Sequence, residues 1–398
     1  MMRTILWVVL LVVALGSPVL HAQGKPFGTV QLGISQSYDD NLFTTTKARG
    51  PQPDWISRVG PTFEGGYVAP TLTFIGQYGF EAERYLTHTA LNDNFARQDG
   101  HLNFRYRPTP RLSLRTDALY LDTKNPRELN QLTSLITLGR ARAQRIQAQS
   151  GAVYTANAVM KVNADYTYTD DMFVGALRSR SQLARLGVEW KPSPRNGYRF
   201  DYRFRHVGFT DGNGVFRDIG FNDGDGVFFA TLTAGWLHEF TPSTGFEVDA
   251  GPRIRQGAMR PELSALLRHR LRRGEMSLLY TSTEDTTLGE VSTIELQRLM
   301  ATLSFTPVRD LTLSATPTIA RSTIDALHTV VQAIDGGVTV RATPRISIVA
   351  TGRVGRQTGI LNNGVLVLPG DDLISTRGFT LKSIVTLGER HDDRVDAR

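Results

Sequence analysis

The sequence predicts an all-β protein: a transmembrane, antiparallel, up-and-down β-barrel of about 18 strands. Three observations predict it. Apolar and polar residues alternate with a period of two along most of the chain. Short turn-forming segments alternate with longer polar ones, and aromatic residues flank several of the short turns.

The N-terminal segment has the three parts of a secretory signal peptide. Residues 1–3 are short and positive, residues 5–15 are an unbroken apolar stretch, and residues 16–18 precede a cleavage point after Ala22. The apolar stretch is only about 11 residues long, which is too short to span a membrane as a helix. We therefore expect residues 1–22 to be removed on export.

The composition narrows the classes of protein that remain. The chain has no cysteine, which excludes disulfide scaffolds, thiolate metal sites and catalytic cysteines. Beyond the signal segment, no apolar run approaches the roughly 20 residues of a membrane-spanning helix. A formal net charge of +7 leaves nucleic acid, anionic polysaccharide and a charged pore as candidates. We expect the barrel to occupy residues 23–388, followed by a polar tail at 389–398.

The two-residue alternation is clearest between Tyr198 and Phe204, where every second residue is aromatic and the residues between are charged. Successive side chains of a strand point to opposite faces, so this segment is a strand with one apolar and one charged face. The same alternation recurs at residues 102–107, 111–120, 160–168 and 247–255.

Turn-forming segments divide the chain into long hairpins. Proline fixes its φ angle and lacks an N–H group, so it is expected in turns rather than inside paired strands. Eight hairpins and one strand at each end make about 18 strands, and 16 stays open because sequence boundaries are imprecise. The short segments are 69–70, 108–110, 155–157, 192–194, 241–243, 272–274, 306–307 and 343–344; the longer ones are 39–53, 87–98, 123–139, 170–180, 210–226 and 358–372.

The spacing of the short turns, about 39 residues, also resembles that of a β-propeller blade. A blade, however, contains four short strands, whereas each period here holds two alternating segments long enough to cross an outer membrane. Trp190 and Tyr198 flank one turn, and Phe240 and Phe246 flank another, as in the interfacial aromatic girdle of a membrane barrel. A soluble, exported, glycan-binding propeller remains the alternative fold.

The charged face of the strands is the candidate functional surface. A lumen lined by guanidinium groups attracts anions, which predicts a porin-like channel or conduit for anionic solutes or exported polysaccharide. The alternative is that arginines and carboxylates pair across strands and brace the wall. The predicted pore-lining residues are Arg105, Arg107, Arg115, Arg199, Arg203, Arg205, Arg253, Arg255, Asp117, Asp201, Glu247 and Asp249.

Other functional motifs are weak. Residues 210–214 and 222–226 resemble calcium loops but lack the bidentate glutamate, and Asp-Gly and Asn-Gly are common turn formers. No histidine lies in a Gly-x-Ser-x-Gly or His-Glu-x-x-His context. The arginines are spread over many strands rather than clustered beside aromatics. We predict no enzymatic activity, no cofactor, no metal and no nucleic-acid partner.

Tyr38, Asp39, Asp40 and Asn41, at the end of the first strand, resemble a signature of outer-membrane β-barrel porins associated with exopolysaccharide and exosortase (PEP-CTERM) gene systems. Residues 54–56, 60–61, 251–253 and 260–263 fit the same pattern. The resemblance implies an outer-membrane barrel without catalytic residues and leaves the transported solute undefined. The expected partners are outer-membrane lipid, the barrel-assembly machinery and polysaccharide export components. A closed structural or adhesion barrel that binds surface polysaccharide through its loops is the alternative function.

Overall fold

The computed structural model describes residues 24–130, 140–173, 177–211, 226–286, 293–324, 327–362, 365–367 and 373–388. These residues form one closed antiparallel barrel of 18 strands, as predicted. The predicted signal peptide and C-terminal tail lie outside the described residues. The barrel strands are β1 (Lys25–Asp39), β2 (Asp54–Val68), β3 (Leu72–Tyr85), β4 (Asp93–Thr109), β5 (Leu112–Thr123), β6 (Ala143–Asn157), β7 (Met160–Phe173), β8 (Leu177–Trp190), β9 (Asn196–Asp211), β10 (Val227–Thr241), β11 (Thr244–Arg255), β12 (Ala258–Leu271), β13 (Gly274–Thr286), β14 (Thr293–Val308), β15 (Leu311–Ile324), β16 (Leu327–Thr343), β17 (Ile346–Thr358) and β20 (Leu373–Gly388).

Short elements lie between some of these strands. Two strands, β18 (Ile360–Asn362) and β19 (Val365–Val367), pair with each other outside the barrel sheet. Single-turn 3-10 helices occupy Lys47–Arg49, Thr89–Leu91 and Pro126–Glu128. None of the helices in the described ranges is long and apolar enough to cross a membrane.

The first and last strands close the barrel. Strand β1 pairs with β2 on one side and with β20 on the other, in a register that places Gly33 opposite Ile384. Every other barrel strand pairs with the barrel strands that precede and follow it in the chain. A single up-and-down sheet of this kind excludes the propeller, whose blades are separate sheets.

Every connection at one end of the barrel, which we call the turn end, is short. The longer loops lie at the opposite end, the loop end, which also carries the two-residue turn of Gln256 and Gly257 between β11 and β12. The boundaries differ from expectation at two loops, because β4 already begins at Asp93 and strands β7 and β8 occupy most of residues 170–180. Asp170 and Asp171 suggest a loop in the sequence, yet both are strand residues. Asp171 faces inward and pairs with Arg145 at 2.6 Å, whereas Asp170 shares the outward face with Tyr168 and pairs with Arg178 at 2.5 Å.

Proline is not confined to the turns. Pro61, Pro252, Pro261 and Pro317 all lie inside strands, so the rule that proline marks turns is wrong at these positions. Pro252 of β11 and Pro261 of β12 are direct register partners. The two missing N–H donors therefore fall at the same position along the β11–β12 pair, and the other backbone hydrogen bonds of this pair are unaffected. Similarly, residues 155–157 and 306–307 belong to strand ends, with the chain reversing just beyond them.

The outward face is apolar over most of the height of the barrel, and near the loop end it also carries charged residues such as Arg321 and Arg356. Ile34 is 57% exposed and Leu232 is 56% exposed, and the aromatic residues between Tyr198 and Phe204 share this surface. The inward face is polar over most of its height but becomes apolar at the loop end, where Val207 and Phe229 belong to a buried cluster of β9 and β10 residues. The hydrophobic residues therefore form a broad external belt and small internal clusters at one end.

Candidate functional site: the charged lumen

Ion pairs between strands that are not neighbours identify the inward face. Arg115 Nη2 on β5 lies 2.7 Å from Asp165 Oδ1 on β7. Arg205 Nη2 on β9 lies 3.0 Å from Asp285 Oδ1 on β13. Side chains from strands so far apart can meet only on the concave side of a barrel. By strand alternation, all twelve predicted pore-lining residues share this inward face.

Three of the predicted arginines belong to a cluster in the loop half of the lumen, which we call the arginine–glutamate cluster: Arg203, Arg253, Arg255, Glu262 and Glu284. Arg253 is only 5% exposed, and its Nη1 donates a hydrogen bond to Glu262 Oε2 at 2.8 Å. Arg203 Nη2 lies 3.2 Å from the other oxygen of Glu262. Arg255 Nη1 donates to Glu284 Oε1 at 2.6 Å. These arginines brace four strands, β9, β11, β12 and β13, against one another.

Glycines allow arginines to reach over an intervening strand. Arg199 on β9, Gly235 on β10 and Asp249 on β11 are consecutive register partners. Arg199 Nε donates to Asp249 Oδ1 at 3.0 Å, directly above the glycine. A Cβ atom on Gly235 would lie 2.1 Å from that carboxylate oxygen, so any larger residue displaces the aspartate. The same arrangement occurs with Arg115, Gly151 and Asp165.

The predicted carboxylates also have hydrogen-bond or ion-pair partners. Asp201 Oδ2 lies 2.9 Å from Arg185 Nη2, and Arg199 approaches the same oxygen at 3.4 Å. Asp117 accepts a hydrogen bond from the amide of its register partner on β4. Glu247 pairs with an arginine of β12. Pairing across strands therefore accounts for most of the predicted charged surface.

Arg105 and Arg107 differ from the other predicted arginines. Both are exposed on the inward face near the turn end of β4. No carboxylate oxygen of the described residues lies within 4.0 Å of either guanidinium group. They are positive groups that face the lumen without compensation.

A cavity of about 460 Å³ lies at the loop end of the lumen; we call it the loop-end cavity. One side is formed by Asn125, Arg127 and Glu128 from the loop between β5 and β6, and the other by strands β15, β16 and β17. Between β5 and β16 lie β4, β3, β2, β1, β20 and β17. The loop therefore reaches across the lumen and narrows it. Leu129 anchors the loop by packing against Leu121.

Arg127 occupies an unusual electrostatic position in this loop. Burial lowers the pKa of Arg127 to about 10; Arg353 and Arg140 act in the same direction, whereas Asp39 opposes them. The guanidinium group still carries its charge at neutral pH. Its Nη2 is buried and has no hydrogen-bond partner among the described residues, whereas Arg140 is paired with Glu83 at 3.1 Å.

Two residues of the Tyr-Asp-Asp-Asn motif lock the seam between the first and last strands. Asn41 is fully buried, and its Nδ2 donates a hydrogen bond to the carbonyl oxygen of Ser375 at 3.0 Å. Asp40 Oδ1 accepts the backbone N–H of Arg377 at 2.6 Å. We call these two contacts the seam clasp, since they join the loop after β1 to strand β20.

The other two residues of the motif face opposite sides of the wall. Tyr38 packs against Trp55 on the outward surface, with 5.2 Å between ring centroids. Asp39 lines the loop-end cavity, and its Oδ1 accepts the backbone N–H of Asn41 at 3.0 Å. The motif is thus a structural element at the rim of the barrel and also supplies one carboxylate to the lumen.

Arg127, Arg140 and Arg353 are candidate functional residues that the sequence pattern does not reveal. Arg127 lies in the segment 123–139, which the sequence marks only as a polar loop, and Arg140 follows this segment directly. Charged loop residues are solvated by default. Nothing in the local pattern signals that the loop turns inward. The apolar inner rim, by contrast, is visible in the alternation of β9, where inward charges end at Arg205 and are followed by Val207 and Phe209.

No family model and no curated protein match the sequence. Among solved structures the chain is similar to OpdO from Pseudomonas aeruginosa, with 12% identity over 92% of this chain and 98% of that chain, and a TM-score of 0.48. It is also similar to the siderophore receptor PirA from Pseudomonas aeruginosa, with 10% identity over 92% and 81% of the two chains and a TM-score of 0.44.

Proposed function

We propose that the protein is an outer-membrane channel of a Gram-negative cell envelope. The outward apolar belt supports a lipid-facing surface, because a soluble barrel of this size would direct polar residues to solvent. The stacked rings of Trp190 and Tyr198, with centroids 5.5 Å apart beside a tight turn, suit a membrane–water interface. With this orientation the turn end is periplasmic and the loop end extracellular. Lipid and the barrel-assembly machinery are the corresponding partners.

We further propose that the channel favours anionic solutes. The observation that carries this proposal is a set of inward arginines without an ion-pair partner in the described part of the chain: Arg105, Arg107 and Arg127, together with Arg341 on β16. The paired arginines contribute little net field, so the selectivity rests on unpaired arginines such as these rather than on all the arginines that line the wall. An 18-strand barrel is wide enough to leave an aqueous lumen.

The test is the reversal potential of the purified full-length protein in a planar bilayer under a KCl gradient. We expect a sign that indicates chloride preference, reduced in the double variant Arg105→Gln and Arg107→Gln. The matched control is Arg272→Gln, an exposed arginine in a tight turn outside the lumen, which should leave the potential unchanged. Cation preference, or no conductance in any preparation, contradicts the proposal.

A closed barrel that binds surface polysaccharide through its loops is the second candidate. The internal apolar clusters favour it, because Leu42 from the loop after β1 packs inside the barrel against Ile56 and Tyr85. In that case the bilayer shows no conductance, while the protein is retained on an immobilised acidic polysaccharide. Conductance that an added acidic polysaccharide blocks reversibly favours an export conduit, with polysaccharide export components as partners.

A further inference from the structure

The loop-end cavity has the composition of a binding site for a small anion. Five arginines line it: Arg58, Arg127, Arg140, Arg353 and Arg377. The side chain of Arg377 is exposed on the outward face of β20, beside Phe379, and the pairing of the other four differs. Arg58 and Arg140 share Glu83, at 2.6 and 3.1 Å, and Arg353 Nε lies 3.6 Å from Asp335. Only the guanidinium of Arg127, of these four described side chains, lacks a carboxylate within 4.0 Å.

The carboxylates on the cavity wall do not cancel the charge of Arg127. Glu128 accepts a hydrogen bond from Arg97 at 2.9 Å, and Asp335 faces Arg353. Asp39 is held by a backbone N–H group. Each is thus directed to a partner other than Arg127.

An unpaired guanidinium donor in a confined site points to a planar anionic ligand. A buried donor that loses its water without gaining a partner is costly, so the Nη2 of Arg127 gains most from an incoming acceptor. The guanidinium fork matches a carboxylate in a bidentate arrangement. The volume of about 460 Å³ lies within the range of small-molecule sites.

The wall opposite Arg127 is lined by small and hydroxylated residues. Ser314, Thr316 and Thr351 contribute hydroxyl groups, and the inward Gly337 has no side chain to fill the space beside Ser314. The hydroxyls of Thr316 and Thr351 have no hydrogen-bond partner within the described ranges. A ligand that places its carboxylate on Arg127 would therefore meet unoccupied hydrogen-bonding groups on its other side.

We propose that the loop-end cavity binds a hydroxylated carboxylate of sugar-acid size, with the carboxylate on Arg127 and ligand hydroxyls on Thr316 and Thr351. This inference deepens the proposed anion channel by naming a ligand class and the residues that recognise it. Binding itself does not require that the barrel conduct ions.

Isothermal titration calorimetry of the full-length protein in detergent tests the inference, with sodium glucuronate as probe and glucose and acetate as comparisons. We expect glucuronate to bind more tightly than acetate and glucose to give no measurable heat. Arg127→Gln should weaken glucuronate binding by about tenfold or more, since it removes a charge-assisted bidentate contact. Arg127→Lys should recover part of that loss, because it keeps the charge but not the fork.

Two further variants separate recognition of the sugar from simple charge attraction. Thr316→Val and Thr351→Val preserve shape and should weaken glucuronate several-fold while leaving acetate unchanged. Arg272→Gln should bind like the unmodified protein. Equal affinity for glucuronate and acetate, or full binding by Arg127→Gln, overturns the inference. Chloride-selective conductance without glucuronate binding refutes this inference alone, whereas binding without conductance refutes the channel alone.

Discussion

Arg253 provides the sharpest test of which arginines brace the wall. Its side chain is buried between Glu262 and Glu284, which are themselves 8% and 6% exposed. Replacing Arg253 with methionine keeps much of the volume but leaves both carboxylates in a confined site with one guanidinium fewer. Breaking a buried ion pair by removing one partner costs about 3–5 kcal/mol. We expect Arg253→Met to lower the free energy of unfolding by about that amount.

The assay is urea unfolding of the protein refolded into lipid vesicles, followed by tryptophan fluorescence. Arg105→Met is the matched control: the same substitution on the same inward face, at an exposed arginine with no carboxylate within 4.0 Å in the described part of the chain. Its effect should stay within about 0.5 kcal/mol. Equal unfolding midpoints for the two variants would refute the assignment of Arg253 to a bracing role.

A second substitution checks the physical cause. If the loss in Arg253→Met comes from uncompensated carboxylates, then Glu284→Gln in the same chain should restore about 1 kcal/mol or more by removing one of them. In the unmodified protein Glu284→Gln should be destabilising, because Arg253 and Arg255 then lose a partner. If Glu284→Gln changes the free energy of unfolding in the same direction in both backgrounds, packing rather than charge is the cause of the loss.

Three other predictions follow from the geometry. Gly235→Ala should displace Asp249 from Arg199 and lower the free energy of unfolding by about 1–3 kcal/mol. Gly245→Ala is the control and should be nearly neutral, because the nearest atom to a new Cβ is 3.9 Å away. Equal urea midpoints for the two variants would contradict this role of Gly235. Asn41→Ala should lower the temperature at which the barrel shifts on a gel after heating, since it opens the seam clasp; an unchanged transition would contradict this role. The fluorescence of the outward tryptophans should be quenched by lipids brominated in their acyl chains, and unaffected fluorescence would argue against a lipid-facing belt.

The sequence is informative wherever the period of two holds. The faces of β9 could be assigned correctly because aromatic residues at four alternate positions, from Tyr198 to Phe204, leave one register for the strand. The strand count could be obtained because tight turns have a distinctive composition. Strand ends were harder, because Asp170 and Asp171 have the polarity of a loop while their charges are satisfied by arginines of the neighbouring strands, Asp171 on the inward face and Asp170 on the outward face.

The site could be predicted only in part. Alternation shows that Arg199 and Arg253 share a face, but not that their charges are matched by carboxylates two strands away. Those distances depend on barrel curvature and on the register of every intervening strand. The inward path of the loop that carries Arg127 depends on the packing of Leu129 at its base, which has no periodic signature.

The seam clasp bears on how the protein reaches its final form. Asn41 and Ser375 are separated by 334 positions, so nearly the whole chain must be available before the contact can form. Any chain that stops before Ser375 leaves the amide of Asn41 without its acceptor on the last strand. The seam clasp can therefore form only when the last strand pairs with the first, so it stabilises the closed barrel and no intermediate that lacks β20.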